Sequence, residues 1–108
     1  MIESLPAGAV VRASRATFDP SRFAEVDALS TKQTEYLAPA VEQLPGLIRF
    51  SAGVSPDGSM LQVSVWDSEE HSAQLNHLRE MVLVARGEME TVGVTVSPIV
   101  TYPVSWTI

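Results

Sequence analysis

The chain has 108 residues, no cysteine and a net charge of −6, from 13 acidic and 7 basic residues. A chain of this length forms a single domain, residues 1–108, and without thiols it can build neither disulfides nor thiolate metal sites. Acidic residues outnumber basic ones and no Lys/Arg cluster occurs, so neither nucleic acid nor an anionic membrane surface is an expected partner. Both carry negative charge and would repel such a chain.

The N-terminus has no basic region followed by an apolar one, so it does not read as a signal peptide. No apolar run approaches the roughly 18 residues that a membrane helix needs. The expectation is a cytoplasmic protein.

The first predicted strand runs from Gly8 to Phe18, which is rich in short and β-branched residues. It ends at Asp19-Pro20, a turn signal, and Pro20 suits the first turn of a helix, where its missing N–H costs nothing. Apolar residues then recur at helical spacing from Ser21 to Leu44, which predicts the first helical region.

Three polar residues interrupt the apolar face of this region: Ser30, Gln33 and Thr34. Ser30 with Gln33 three residues later fits a capping box, so that a first helix would end near Leu29 and a second begin there. The alternative is one long helix that lines a polar cavity with the three residues. The capping box is the favoured interpretation.

A hairpin follows Pro45-Gly46. The second and third strands are "LPGLIRFSAGV" and "MLQVSVW", and the turn between them is "SPDGS", Ser55 to Ser59. Alternation along the third strand predicts two faces, one with Leu61, Val63 and Val65 and the other with Gln62, Ser64 and Trp66.

A second helix is predicted directly after the third strand. Asp67 or Ser68 can cap its first turn, and the two acidic residues that follow suit the positive end of the helix dipole. The apolar stripe continues to about Arg86, and Gly87 is the expected stop.

The last segment, "VGVTVSPIVTYPVSWTI", predicts one or two strands. Pro98 and Pro103 cannot donate to a ladder, so the segment is expected at a sheet edge, at a bend or against another chain. The order β-α-β-β-α-β is an α+β ferredoxin-like plait, with both helices on one face of an antiparallel sheet. The apolar residues of the other face predict a homodimer.

His71 is the first catalytic candidate, because an α-helical wheel places it at the centre of the stripe made by Leu75, Leu78 and Val82. An imidazole there could exchange protons with a substrate near neutral pH. The alternative is a partly buried histidine bonded to a backbone carbonyl. His77 does not share its face, so the two histidines do not predict a metal site.

Trp66 could stack on a planar substrate, although a large aromatic side chain that closes a small core is commoner. Gln62 and Phe50, on the two strands of the hairpin, complete the predicted substrate-binding set. Arg12 and Arg49 lie within strands, where a charged side chain either faces a cavity or reaches solvent at an edge. Arg49 is the second catalytic candidate.

Nucleotide, phosphate and metalloprotease motifs are absent, and no cofactor cradle is evident, so neither a cofactor nor a metal is expected. The run "LPGLIRFSAGVSPDGSMLQVSVWDSEEHSAQLNHL", however, resembles the antibiotic biosynthesis monooxygenase family. The shared features are the Pro-Gly before strand two, the hairpin, the strand ending in Trp and the "W-x-S-x-E" start of helix two.

The resemblance implies a homodimeric α/β barrel with a small-molecule cavity between the sheet and the helices of each subunit. Some members of the family oxidise polycyclic aromatic compounds with dioxygen and no cofactor, and others degrade haem. The haem-degrading members resemble one another in an Asn on strand one, a Trp inside helix two and a His about ten residues later. Strand one of this chain contains no Asn, no Trp occurs near Leu75 and no His occurs near Ala85. The resemblance therefore disfavours haem degradation.

The leading functional hypothesis is a cofactor-independent monooxygenase for a small, planar, largely apolar molecule. His71 or Arg49 would help form and stabilise the substrate anion, which then reacts with oxygen. A binding protein that uses the same pocket without chemistry is the alternative, and a structural dimer with a filled pocket is a third.

Overall fold

Residues 5–108 are described by a computed structural model. The strands and helices are β1 (Val10–Thr17), α1 (Phe23–Glu42), β2 (Leu47–Ser55), β3 (Ser59–Trp66), α2 (Glu69–Ser72), α3 (Arg79–Thr91), β4 (Thr95–Val96) and β5 (Val100–Pro103), with 3-10 helices at Pro20–Arg22 and Ala73–Leu78. This is the predicted β-α-β-β-α-β order, with the second helix and the last strand each divided. No helix in this part of the chain is both long and apolar enough to cross a membrane.

The sheet is antiparallel, with β2, β3 and β1 side by side and both β4 and β5 paired with the far edge of β1. The last strand therefore lies at an edge, as predicted. Pro98 separates the two pieces of this strand, β4 and β5, because the proline nitrogen has no hydrogen to donate to the ladder. The Ser97 backbone N–H still donates to the Arg15 carbonyl oxygen, at 2.8 Å, and pairing resumes at Val100 opposite Ala13.

Alternation divides the side chains of the sheet between two faces. The face toward the helices carries four rungs of paired residues on β1 and β3: Val10–Trp66, Arg12–Ser64, Ser14–Gln62 and Ala16–Met60. The opposite face, called the outer face below, includes Val11, Ala13, Leu61, Val63 and Val65. The predicted division of β3 into two faces is thereby confirmed.

The buried core lies at the hairpin end of the sheet, around Ala16, Phe18, Val26, Met60, Met89 and Val94. At the opposite end Val10 and Trp66 are buried, with Trp66 fully excluded from solvent. Two packed ends thus close the helix-facing side of the sheet, and the two rungs between them carry polar side chains.

The helix α1 is continuous, so the favoured break near Leu29 was wrong. Its start is capped earlier, where the Asp19 carboxylate accepts a hydrogen bond from the Ser21 backbone N–H at 2.9 Å. A capping box at Ser30 would need an extended backbone there, whereas Ser30 is helical. Gln33 points instead into the protein, where it is 3% exposed.

The predicted stop of the second helix at Gly87 was also wrong, because α3 continues to Thr91. The left-handed residue is Gly93, with a φ of 82°. Gly93 and Val94 donate their backbone N–H groups to the carbonyl oxygens of Glu90 and Met89, the two bonds of a Schellman motif. The start was predicted correctly: Ser68 is the cap, and its hydroxyl accepts from the His71 backbone N–H at 3.1 Å.

Candidate functional site

A half-enclosed cavity of about 530 Å³ lies between the sheet and the helices, and the two polar rungs form part of its floor. Its walls are mostly aliphatic, with Leu37 and Val41 from α1, Leu75 and Leu78 from the second 3-10 helix, and Val82 and Met89 from α3. This volume lies within the usual range for a small-molecule site. Its shape and lining suit a compact, largely apolar ligand.

Arg12 brings a positive charge to the cavity floor. Its guanidinium donates to the Asn76 side-chain oxygen at 3.0 Å and, over a longer 3.4 Å, to the Ser72 carbonyl oxygen. Partial burial lowers the pKa of Arg12, because desolvation disfavours the charged form. An arginine nevertheless stays protonated in proteins, so the group remains a cation.

Gln62 and Ser64 are the neighbours of Arg12 on the floor, and Gln33 faces them from α1. The Ser64 hydroxyl accepts a hydrogen bond from the Trp66 indole N–H at 2.8 Å. The Gln33 amide donates to the Ala85 carbonyl oxygen at 2.9 Å, which ties α1 to α3 across the cavity wall. Of the polar trio in α1, Gln33 alone lines the cavity within residues 5–108.

Two of the predicted substrate-binding residues, Gln62 and Phe50, line the cavity. Trp66 does not line it. The Trp66 side chain is 0% exposed and closes the end of the sheet beside Val10, with its one polar atom bonded to Ser64. The structure therefore places this tryptophan in the packed interior, which is the commoner use of such a residue.

His71 is displaced from the cavity. Its Nδ1 lies 2.6 Å from an Asp67 carboxylate oxygen, and both side chains remain 39% exposed. The predicted apolar stripe was drawn for an α-helix, which turns about 100° per residue, but Ala73–Leu78 is a 3-10 helix. A 3-10 helix turns about 120° per residue, so six residues shift the phase by about 120°. Leu75, Leu78 and Val82 line the cavity, while His71 turns away from it.

Arg49 lies on the outer face of the sheet, opposite Val65 in the register. A β-bulge between Leu47 and Arg49 is responsible, because simple alternation from the Leu47–Trp66 pair would have placed Arg49 opposite Ser64. Within residues 5–108, therefore, the two predicted catalytic side chains do not meet at the cavity.

Arg12 and Asn76 are the residues that the sequence-based site set lacked. Arg12 had a detectable signal, because it alternates with Val10 and Ala16, which belong to the buried face of β1. Asn76 had none, since its position depends on the 3-10 geometry. In the described part of the chain, no three His, Asp or Glu side chains come together as a metal site would need.

Several solved structures share this fold. SnoaB, a cofactor-independent oxygenase from Streptomyces nogalater, aligns with a TM-score of 0.60 and 17% identity over 94% of this chain and 98% of its own. The monooxygenase ActVA-Orf6 of Streptomyces coelicolor, solved with nanaomycin D, aligns with a TM-score of 0.69 and 15% identity over 94% and 92%.

A candidate antibiotic biosynthesis monooxygenase from Deinococcus radiodurans aligns with a TM-score of 0.68 and 19% identity over 92% of this chain and 95% of its own. No protein-family model and no curated protein matches the sequence. At these identities the alignments establish the fold: the chain has the ferredoxin-like architecture of antibiotic biosynthesis monooxygenase structures, as the sequence motifs predicted.

Proposed function

We propose that the chain is a cofactor-independent monooxygenase that acts on a small, planar, largely apolar molecule bound in the cavity. The observation that carries the proposal is the combination of aliphatic walls with one partly buried cation, Arg12, on the floor. No carboxylate within residues 5–108 pairs with this cation. The shared fold with SnoaB, a cofactor-independent oxygenase, supports the reaction class.

The chemistry follows from the charged groups of the lining. Within the described residues the lining contains Arg12 and Arg86, but no histidine, aspartate or glutamate. Such a cavity stabilises an anion and does not itself supply a base. In the proposed reaction an acidic CH₂ group flanked by aromatic rings loses a proton to solvent, and Arg12 stabilises the delocalised anion.

Dioxygen then oxidises this anion. The CH₂ carbon becomes a carbonyl and takes one oxygen atom, while the other leaves as water with two hydrogens, so that four electrons pass from carbon to oxygen. The protein removes water from the substrate and holds the anion, and in this proposal Arg12 takes the stabilising role that was expected of His71 or Arg49.

Anthrone, a planar ketone with such a CH₂ group, is the test compound. The expected result is dioxygen uptake above the uncatalysed rate, with label from dioxygen in the product. Arg12→Gln should slow turnover by about 100-fold, the scale of losing one anion-stabilising donor. Arg49→Gln, which changes an outer-face arginine, is the matched control and should leave the rate unchanged.

A binding protein is the second candidate, favoured by the lack of an acid or base in the described lining. Binding of planar compounds without dioxygen uptake from anthrone or related substrates would select it over the oxygenase.

We also propose a homodimer that forms through the outer face. Leu61 of this face is 42% exposed and lies beside Val63 and Val65, so the described chain leaves an apolar surface in contact with water.

A further inference from the structure

Arg12 differs from the other arginines whose side chains bond to partners in the described chain. Arg22 pairs with Glu25 at 2.9 Å, and Arg86 pairs with Glu90 at 3.6 Å. Both acceptors of Arg12, the Ser72 carbonyl and the Asn76 amide, are neutral. The Arg12 guanidinium is thus fixed in position while its full charge is retained.

The bond to Arg12 also fixes the orientation of the Asn76 amide. A guanidinium can only donate, so the Asn76 oxygen must face Arg12 and the NH₂ group must lie on the other side. Arg12 has five N–H donors and uses two of them in these bonds. Donors therefore predominate around the pair: three guanidinium N–H groups of Arg12 and the NH₂ group of Asn76 stand against one remaining lone pair on the Asn76 oxygen.

We propose that Asn76 determines the specificity of the cavity: it positions Arg12 without neutralising it, and so selects ligands with an anionic, acceptor-only oxygen group. This inference rests on the proposed function to the extent that both use the same cavity. It adds the chemical class of the polar group, a carboxylate or a phenolate rather than an amide or an alcohol.

Replacing one atom of Asn76 tests this role. In Asn76→Asp the carboxylate has the shape of the amide, and it supplies the counter-ion that Arg12 lacks within residues 5–108. The folded state should be as stable as the parent or more so, because the new bond is between two charges. Binding of an anion should weaken, since Arg12 is already neutralised.

Naphthoate and its neutral amide, naphthamide, are the probes, because they share one planar apolar ring system. Calorimetry or fluorescence should show that the parent protein binds naphthoate about tenfold or more tighter than naphthamide, the scale of a hydrogen bond to a charged group. Asn76→Asp should abolish this preference and leave naphthamide binding unchanged. A loss of folding would instead weaken the binding of both ligands equally.

The matched control is Gln43→Glu, which makes the same amide-to-acid change at an exposed position outside the cavity lining. It should keep the full preference for naphthoate. Asn76→Ala gives a second measurement: Arg12 keeps its charge but loses its anchor, so naphthoate binding should fall by less than in Asn76→Asp.

An unchanged preference in Asn76→Asp, or equal binding of both probes by the parent protein, overturns the inference but leaves the cavity of the proposed function in place. If neither probe binds, the proposed function itself is contradicted, and the inference with it.

Discussion

Gly46 lies beneath Asp67 and His71, where the loop after α1 meets the start of α2. Its φ of 83° is left-handed, and a side chain at this position would overlap both neighbours. The Asp67 backbone N–H also donates to the Gly46 carbonyl oxygen at 2.9 Å. The glycine of the Pro-Gly motif before strand two is therefore required by the structure. Only glycine adopts the left-handed backbone without strain and leaves room for the side chains of Asp67 and His71.

Gly46→Ala should destabilise the protein by more than about 1 kcal/mol, from the backbone strain and the overlap together. Urea unfolding measures this loss. The double variant with His71→Ala should recover part of the loss, because it removes one of the two overlapping side chains. Gly53→Ala is the control, since a methyl group there meets open space. Equal effects at the two glycines would contradict this account.

Tyr36 is held by a different pairing, in which its hydroxyl donates to the Glu88 carboxylate. Burial, with the hydrogen bond and charge of Glu88, raises the pKa of Tyr36 from 10.0 to about 12. Because the folded protein holds this proton more tightly than the unfolded chain, the contribution to stability is complete below pH 10 and declines as the pH rises toward 12.

Tyr36→Phe should accordingly lose less thermal stability than the parent between pH 10 and pH 12. Melting temperatures across this range give the measurement. The chain has two tyrosines, so Tyr102→Phe, at an exposed position, is the matched control and should follow the parent curve. A Tyr36→Phe curve parallel to the parent would show that another group governs the alkaline loss.

Individual residues of the site could be predicted only where the backbone follows a regular period. Gln62 was placed correctly because β3 alternates without interruption against β1. Arg49 was displaced by a bulge that no local signal marked. A one-residue shift in strand pairing moves a side chain to the other face of the sheet, and the residue type at that position gives no indication of the shift.

Among the elements, the two glycines near the end of α3 have opposite roles. Gly87 lies inside the helix, where an added Cβ would meet no neighbouring element, whereas Gly93 is the left-handed residue that follows the end of the helix. Gly87→Ala should stabilise the protein by about 0.5–1 kcal/mol, because alanine has less backbone freedom to lose.

Gly93→Ala should instead destabilise it, since alanine resists the left-handed conformation of the Schellman motif. Denaturant unfolding of both variants gives the comparison. The opposite result, a loss at Gly87 and a gain at Gly93, would mean that α3 ends where the sequence had suggested.

The starts of elements were easier to predict than their ends and interruptions. The caps at Asp19 and Ser68 depend on residues adjacent in sequence, and both hydrogen bonds are present. The continuity of α1 through Ser30 and the 3-10 segment between α2 and α3 depend on packing against the sheet and neighbouring helices. Such tertiary contacts override local capping signals.

At the scale of the whole molecule, a substitution on the outer face tests whether the chain forms the proposed dimer through this face. Leu61→Asp should leave the chain folded, because Leu61 is partly exposed and lies opposite Arg15 in the register. The same charge should separate the proposed dimer into monomers. Sedimentation velocity distinguishes the two states.

Leu83→Asp, on α3, is the matched control and should leave the dimer intact, even though Leu83 is 55% exposed. If Leu83→Asp dissociates the dimer and Leu61→Asp does not, the interface lies on the helices. A parent chain that sediments as a monomer would contradict the proposed dimer.

The strand order and the one-sided placement of the helices followed from the sequence, since hydrophobic periodicity and turn residues determine both. The cavity was expected in the right layer, between sheet and helices, with Gln62 and Phe50 on its lining. The arginines on the lining are Arg12 and Arg86, whereas Arg49 lies on the outer face, because pairing register decides which strand arginine faces inward.

The arrangement of rungs on the floor has an evolutionary consequence. The Val10–Trp66 and Ala16–Met60 rungs are packed and buried, whereas the Arg12–Ser64 and Ser14–Gln62 rungs between them carry the polar floor. Substitutions of Arg12, Ser14 or Gln62 on the two middle rungs alter what the cavity accepts without touching the residues that close its ends, whereas Ser64 is tied to Trp66 by a hydrogen bond. Ligand preference in such a chain can diverge by point mutation while its folding stability stays nearly constant.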